Sequence, residues 1–502
     1  MSAVPAPLIR PTATEAMNAV RTAGGARRVV KPLAWNPNKH LLSRFTFGPW
    51  GSGEGPGNLD KWFDKQVTLG QTQGGYSALP ALATLYPYLV LAPAQTRMKL
   101  KADGNEYSNA AQDQAVKATI ALQCWSPAQL YETVVDFFSN RLNVGAYTDG
   151  VWVNRLSYDR DVIRRYAFGS YRDMLTAAMK HPAMLTYLNN DLSNWTAPNE
   201  NLGRELLELH TVGLAAGYTQ DDVVASANLL TGRSVDGKFN DYQWNNGYHS
   251  LGARTVLGFT HADDGVAKGE ATGDAYIAYL ATHPSTATSL ARAMCVRFVS
   301  DTPSDELVQA VAQAYLANDT AIVPMLRTIV RSTEFWDSRG RKLRRPLENV
   351  VATVRALQLN PLDLDKAAGT LVNYAANTGQ RPLSCFAPPG YADVQTAWLS
   401  SGALLRLWSF QNALLKGQWP DQFPKPTTDW LYGGTSPATT SAALAALAKT
   451  LLSATLTTDE QNALLEYLGE SPGLALSRSH LSSGVLQDVA GMLLHTAHHH
   501  LR

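Results

Sequence analysis

The chain has 502 residues, 45% of them hydrophobic and 17% charged, and a formal net charge of +1 from 43 basic and 42 acidic side chains. That length accommodates several domains or one large helical body, and the composition is that of a lightly charged globular protein. The near-neutral balance argues against nucleic acid or a membrane surface as partner, because both select a strongly cationic face.

Residues 1–35 are rich in Ala, Pro, Thr and Val and read as a mobile leader. Arg27-Arg28 is followed by Val29-Val30-Lys31-Pro32 and not by a long apolar run, so no export signal is read there. No stretch of about 18 apolar residues occurs, so no spanning helix is expected, and the chain is assigned to the cytoplasm.

From residue 36 to 419 helical periodicity dominates, as in Tyr131–Phe138, Tyr171–Met179 and Asp305–Leu316. Ser126-Pro127 and Thr219-x-x-Asp222 place capping oxygens just before apolar runs. Gly232–Gly273 concentrates glycines and aromatics and reads as a loop-rich insertion, in which Thr255-Val-Leu-Gly-Phe is one short strand. Pro420–Gly434 is a proline-rich connector, and helices at Ser441 and Thr458 follow it. The expected fold is all-α: a helical core domain over 36–419 with this insertion, and a small C-terminal extension over 420–502 packed on it.

Cys124, Cys295 and Cys385 lie far apart with no CxxC spacing. They read as buried small hydrophobes, not as a disulfide framework or a zinc site. No phosphate-binding glycine loop, Gly-x-Ser-x-Gly or His-Glu-x-x-His occurs. Asp221-Asp222 suits a helix N-terminus, and Asp263-Asp264 before Gly265 suits a turn.

Several blocks are familiar in their order. They are His40-Leu-Leu-Ser-Arg-Phe-Thr-Phe-Gly, Asn199-Glu-Asn-Leu-Gly-Arg-Glu-Leu-Leu-Glu-Leu-His-Thr-Val-Gly, and Gly217-Tyr-Thr-Gln-Asp-Asp-Val. Arg345-Pro-Leu-Glu-Asn-Val-Val, Gly379-Gln, Pro388-Pro-Gly and Trp398-Leu complete the set. Together they resemble the bacterial "domain of unknown function 1800" family over about residues 36–415. The resemblance implies a fold and a site location more than an activity; typical members look like exported proteins. Relatives usually show an aromatic followed by His-Asn-His-Phe, where this chain has Phe138-Ser139-Asn140-Arg141-Leu142. They often carry His-Asp before a glycine, where this chain has His249-Ser250-Leu251-Gly252. If the family site binds a metal, several of its ligands are replaced here.

Within the longest block, an α-helix over Asn199–Gly213 puts Leu202, Leu206, Leu209 and Val212 on one face. Glu200, Arg204 and Glu208 then form an i, i+4 ion network beside it. Glu205 falls inside the apolar arc and is expected to point into the core, as a structural strut or as a group whose raised pKa suits acid–base work. Catalytic candidates are thus Glu205, Glu208, His249 and Arg141, with Arg204, Asn201, Trp152 and Tyr248 as substrate contacts. Arg141 either binds a carboxylate or phosphate, or neutralises Glu205 or Glu208. A divalent metal is the one cofactor considered, with Glu205, His210 and His249 as candidate ligands. His495, His498, His499 and His500 resemble a metal-binding tract, and equally a polar helix end.

The sequence leaves two functions open. One is an enzyme, recruited to specialised metabolism, with an aromatic-lined helical pocket and acid/base carboxylates; its 12 Trp and 20 Tyr suit a small-molecule or glycan-like ligand. The other is a non-catalytic binding or assembly protein derived from a metal-dependent exported family. Oligomeric state is not legible.

Overall fold

The computed structural model describes residues 36–51, 57–238, 240–262, 268–469 and 483–502. The expected leader and the Asp263-Asp264 pair lie outside the described residues.

The chain is predominantly α-helical. The first half runs through α1 (Pro37–Phe45), α2 (Leu59–Gln73), α3 (Ala110–Trp125), α4 (Gln129–Arg141), α5 (Tyr171–Lys180), α6 (Glu200–Glu205) and α7 (Gln220–Leu230). The second half continues with α8 (Gly269–Thr282), α9 (Pro284–Phe298), α10 (Asp305–Ala317), α11 (Ile322–Arg331), α12 (Pro346–Ala356) and α13 (Leu364–Asn377). It ends with α14 (Ser401–Lys416), α15 (Thr440–Leu452), α16 (Thr458–Leu468) and α17 (Ser483–His495). No described helix is long and apolar enough to cross a membrane.

Local chemistry sets these boundaries. The capping box at α7 forms as its sequence asks: Thr219 Oγ1 accepts from the Asp222 N–H at 3.2 Å, and Asp222 Oδ2 accepts from the Thr219 N–H at 2.8 Å. His283 caps α9 by accepting from the Ser285 N–H at 3.1 Å, and Pro284 fills the first helical position, where its missing N–H costs nothing. Ser126 Oγ accepts from the Ala128 N–H at 3.2 Å just ahead of α4.

Helix α4 is enclosed on nearly every side. Leu130, Val134 and Phe138 belong to the main apolar core, which also takes in Leu202 of α6, Leu206 just beyond it, and Leu290 and Met294 of α9. Glu132, Asp136 and Asn140, spaced at i, i+4 and i+8, form a polar stripe along the same helix. A smaller apolar cluster surrounds Leu122 of α3 and Leu156. Helices α9, α10 and α11 pack in succession, and α12 packs against α3, α13, α14 and α15. Helix α17 packs on α14 and α15, so residues beyond 420 share this framework.

The insertion is more ordered than one strand. Two antiparallel hairpins form, β1 (Arg233–Val235) with β2 (Tyr242–Trp244), and β3 (Arg254–Val256) with β4 (Phe259–His261). The second turns on Leu257 and Gly258, both at positive φ, the geometry that suits the twist of a two-residue hairpin.

The C-terminal histidines form no exposed tract. His499 and His500 are buried, meeting Thr353 Oγ1 at 2.9 Å and the Asn349 carboxamide at 2.8 Å. His498 pairs with Glu460 at 2.8 Å, and His495 stacks on Trp408. Apolar Leu486, Val489 and Leu493 draw this segment inward, and its imidazoles find partners on α12, α14 and α16. Cys124 and Cys295 are buried and Cys385 partly so, all as free thiols.

Candidate functional site

The signature segment departs from a single α-helix. Helix α6 ends at Glu205, and Leu206–His210 continue as a π-turn. Its wider loop is closed by Thr211, whose hydroxyl donates to the Leu206 carbonyl at 2.6 Å, and by the Gly213 N–H on the Leu207 carbonyl at 2.9 Å. One extra residue per turn rotates all that follows by about 100°.

The buried face is also centred differently from expectation. Leu202, Gly203, Leu206, Leu207 and His210 are buried, whereas Glu205 and Leu209 are only half-buried. Gly203 explains the shift. A Cβ there would lie 2.7 Å from the Ala227 nitrogen, so α7 crosses α6 at this glycine. Glu205 therefore sits on the flank of the helix and does not enter the core. No hydrogen bond or ion pair reaches its carboxylate among the described residues. Partial burial raises its pKa, and neighbouring Glu208 raises it further against Arg204.

The other candidates are dispersed. Arg204 pairs with Glu200 at 2.8 Å and with Gln220 at 3.0 Å, but Glu208, displaced by the π-turn, accepts from the Tyr218 hydroxyl at 3.0 Å instead. Asn201 is exposed on the first turn of α6. Trp152 packs against the smaller apolar cluster, and Tyr248 is an exposed loop residue whose carbonyl accepts from Trp195. His249 is buried, its Nδ1 2.9 Å from the Thr231 carbonyl and its ring against Gly269 and Trp244. Burial lowers its pKa. This ring pins the insertion to the end of α7.

His210 is 1% exposed, and neither ring nitrogen makes a hydrogen bond of ordinary geometry among the described residues, though the Arg141 backbone lies beside the ring. Burial, and then the Arg141 guanidinium, pull its pKa down to about 3, so the ring is neutral. The candidate ligands Glu205, His210 and His249 do not converge. Among the described residues no three His, Cys, Asp or Glu side chains form a metal-holding group. The described candidates therefore do not form a metal site.

Arg141 reaches neither Glu205 nor Glu208. Its Nη2 donates to Ser289 Oγ on α9 at 2.9 Å, and its guanidinium lies close enough to Tyr171 and His210 to lower both pKa values against or along with burial. The fold turns it towards a cleft of about 700 Å³. The last turn of α4 (Phe137, Asn140, Arg141) forms the floor of this cleft. The segment Val212–Ala216, leaving the π-turn, forms one wall, and α9 from Pro284 to Val296 forms the facing one. Pro389–Asp393 closes the third side with Arg345.

This third side is tied to α4 by backbone recognition. Asn140 Nδ2 donates to the Tyr391 carbonyl at 2.8 Å, and its Oδ1 accepts from the Tyr391 N–H at 2.7 Å. Asn143 donates to the carbonyls of Cys385 and Ala387 at 3.0 and 2.9 Å. Gly390 has φ +73°, and a Cβ there would collide with the Asn140 carbonyl at 2.4 Å, so the Pro-Pro-Gly block needs its glycine.

Behind the cleft lies a buried ion network. Arg345 bonds Asp136 and Glu348, Arg297 bonds both of the same carboxylates, and Arg502 reaches Glu348 at 3.0 Å. Lys342 joins Asp301 at 2.7 Å to Asp393 at 3.4 Å. Burial alone would push the Asp393 carboxyl up, but Arg345, Lys342, Arg297 and Arg502 hold it below the ordinary range. The Arg345 and Asp393 charges at the cleft edge are thus already balanced. Ser289, Arg292, Tyr391 and Asp393 were not singled out by sequence reasoning. Ser289 and Arg292 lie on an ordinary amphipathic helix with no motif to mark them.

A family model described as "protein of unknown function (DUF1800)" matches residues 40–498, and the chain belongs to that family. No curated protein and no solved structure matches it.

Proposed function

We propose that this member of the family binds a small molecule in the cleft between α4, α9 and the Val212–Ala216 segment. One observation carries the reading: the blocks that mark the family meet there. The Asn199–Gly213 block delivers one wall, Pro388-Pro-Gly and Arg345 deliver another, and the Asn140-Arg141 pair forms the floor. A concave site of several hundred Å³ that combines apolar walls with convergent polar groups is the usual form of a ligand pocket. Glu205 and Glu208 are not among its lining residues, and Asp393 is held ionised by its cations. That favours a binding role over acid–base catalysis in the cleft.

The test is a ligand-detected NMR screen of small aromatic and aliphatic fragments against the full chain and Ala293→Trp, which fills the cleft from α9. Fragments that bind the native chain should lose their signal with the variant. Hits indifferent to Ala293→Trp would refute the cleft as the site.

A second reading rests on Glu205, whose unpaired carboxylate and raised pKa suit a general acid or base. Under it, Glu205→Gln should abolish any turnover later found, while leaving fragment binding in the cleft intact.

A further inference from the structure

We infer that the ligand of this cleft is an amphiphilic anion, an apolar body ending in a carboxylate or phosphate, with its oxyanion held by Arg141 and Ser289. The inference rests on the cleft being the ligand site and goes further by fixing the chemistry of the ligand.

The charge balance of the cleft is the starting point. Arg345 is paired with Asp136 and Glu348, and Asp393 with Lys342, within the buried network. Arg292 is half-exposed and meets Asp305 only at the surface, where such a pair contributes little. Arg141 has no carboxylate partner at all among the described residues. A guanidinium withdrawn from water on the floor of a concave site is a cation waiting for an anion, because partial desolvation strengthens every charge-assisted bond it makes. It cannot escape the penalty by losing its proton.

The donor geometry is equally specific. Nη2 of Arg141 donates to Ser289 Oγ at 2.9 Å, its Nε is buried with no partner among the described residues, and the Tyr171 hydroxyl lies beside the guanidinium. Ser289 accepts that bond with its oxygen, so its own hydroxyl hydrogen remains, and it has no acceptor among the described residues. Two adjacent donor groups, a guanidinium and a hydroxyl, therefore line the cleft side by side. Together they match two oxygens of one carboxylate or phosphate, the planar recognition for which arginine is suited. Around them Phe137, Val212, Leu214, Ala293 and Val296 offer apolar surface. Leu214 stands 71% exposed at the rim.

Three probes of one shape test this by isothermal titration of the full chain: phenylacetate, phenyl phosphate and neutral phenylacetamide. At least one anion should bind about tenfold more tightly than the amide, as expected when charge-assisted bonds replace neutral ones. Which anion wins distinguishes a carboxylate ligand from a phosphate. Arg141→Met should bring acid and amide to within about twofold of each other. Ser289→Ala, which leaves the arginine and the fold in place, should weaken the anion several-fold and the amide hardly at all. Equal binding of acid and amide, both blocked by Ala293→Trp, would overturn the anion inference and leave the cleft standing. An anion preference that survives Ala293→Trp, or no binding by any probe, would overturn it together with the cleft reading.

Discussion

Nη1 of Arg164 stands 3.0 Å from both carboxylate oxygens of Glu132, and its Nε lies 2.6 Å from Asp159, with all three side chains almost fully buried. Tyr76 adds its hydroxyl to Asp159 at 2.8 Å. One guanidinium thus serves two carboxylates in the interior.

Removing that shared cation should be far worse than removing one of its anions. Arg164→Met leaves Glu132 and Asp159 buried with too few donors, and is expected to lower unfolding free energy by about 3–5 kcal/mol. Glu132→Gln keeps Arg164 on Asp159 and should cost about 1–3 kcal/mol. Urea unfolding of both variants checks the order, and a larger loss for Glu132→Gln would contradict it.

His210 offers the opposite case. Its ring is buried, and neither nitrogen makes a hydrogen bond of ordinary geometry among the described residues. Replacing an unsatisfied polar group by an apolar one of similar size is neutral or stabilising. His210→Leu should therefore leave the melting temperature unchanged or raise it. A drop of several degrees would show that the imidazole has a partner in solution.

Acid should destabilise the fold well above the carboxylate range. Burial holds His40 and His210 down to about 3, His500 to about 4, and His499 well below its ordinary value. For these groups the folded pKa lies under the unfolded one, so their contribution is complete above about pH 6.5 and is lost as pH falls below it. Each loses about 1.4 kcal/mol, or roughly 5 kcal/mol for the four, between pH 7.5 and 5.5. Glu132 runs the other way. Burial, opposed by Arg164, raises its pKa to about 7, so its contribution is present at low pH and fades as pH rises through 7. It returns at most about 2 kcal/mol over the same window. The histidines win, and the urea midpoint at pH 5.5 should fall clearly below that at pH 7.5. Equal midpoints would mean these rings are not neutral and buried in the folded state.

The α6–α7 crossing makes a steric prediction. Gly203→Ala drives a methyl to 2.7 Å from the Ala227 nitrogen and 3.0 Å from its Cα, where only backbone can give way. The expected loss is about 1–3 kcal/mol, the range for overpacking a tight interface. A control at exposed Gly217 is unsuitable because its φ is +72°, so Asn201→Ala on the exposed face of α6 serves instead and should be nearly silent. Thermal unfolding of the pair decides the matter.

Gly203 also shows where sequence reading reached its limit. Helical periodicity located α4, α5, α10, α15 and α16, and the Thr219–Asp222 box located α7, because caps and apolar spacing are local signals. The orientation of α6 was misread because only large apolar residues were used to find its inner face. The true centre is a glycine, which contributes by letting another backbone approach. The π-turn after Glu205 carries no mark that spacing can detect, yet it decides that Glu208 meets Tyr218 and not Arg204. The site itself was half legible. Arg141 stood out as a substitution within a family block. Its partner Ser289 lies 148 residues further along, on a helix with nothing unusual in its sequence.

The buried network around Arg345 has a bearing on how the chain reaches its folded state. Asp136 meets Arg297 across 161 residues of chain and Arg345 across 209. Arg44 reaches the Val299 carbonyl across 255. Helical proteins usually gain speed from neighbours in sequence meeting early, whereas these contacts require very large loops to be closed first. Individual helices can form early, but the polar centre cannot be completed until both halves of the chain have met. Refolding should therefore show far-ultraviolet ellipticity returning well ahead of the near-ultraviolet signal. The interval between them is the time during which half-paired charges and uncovered apolar faces invite misassembly.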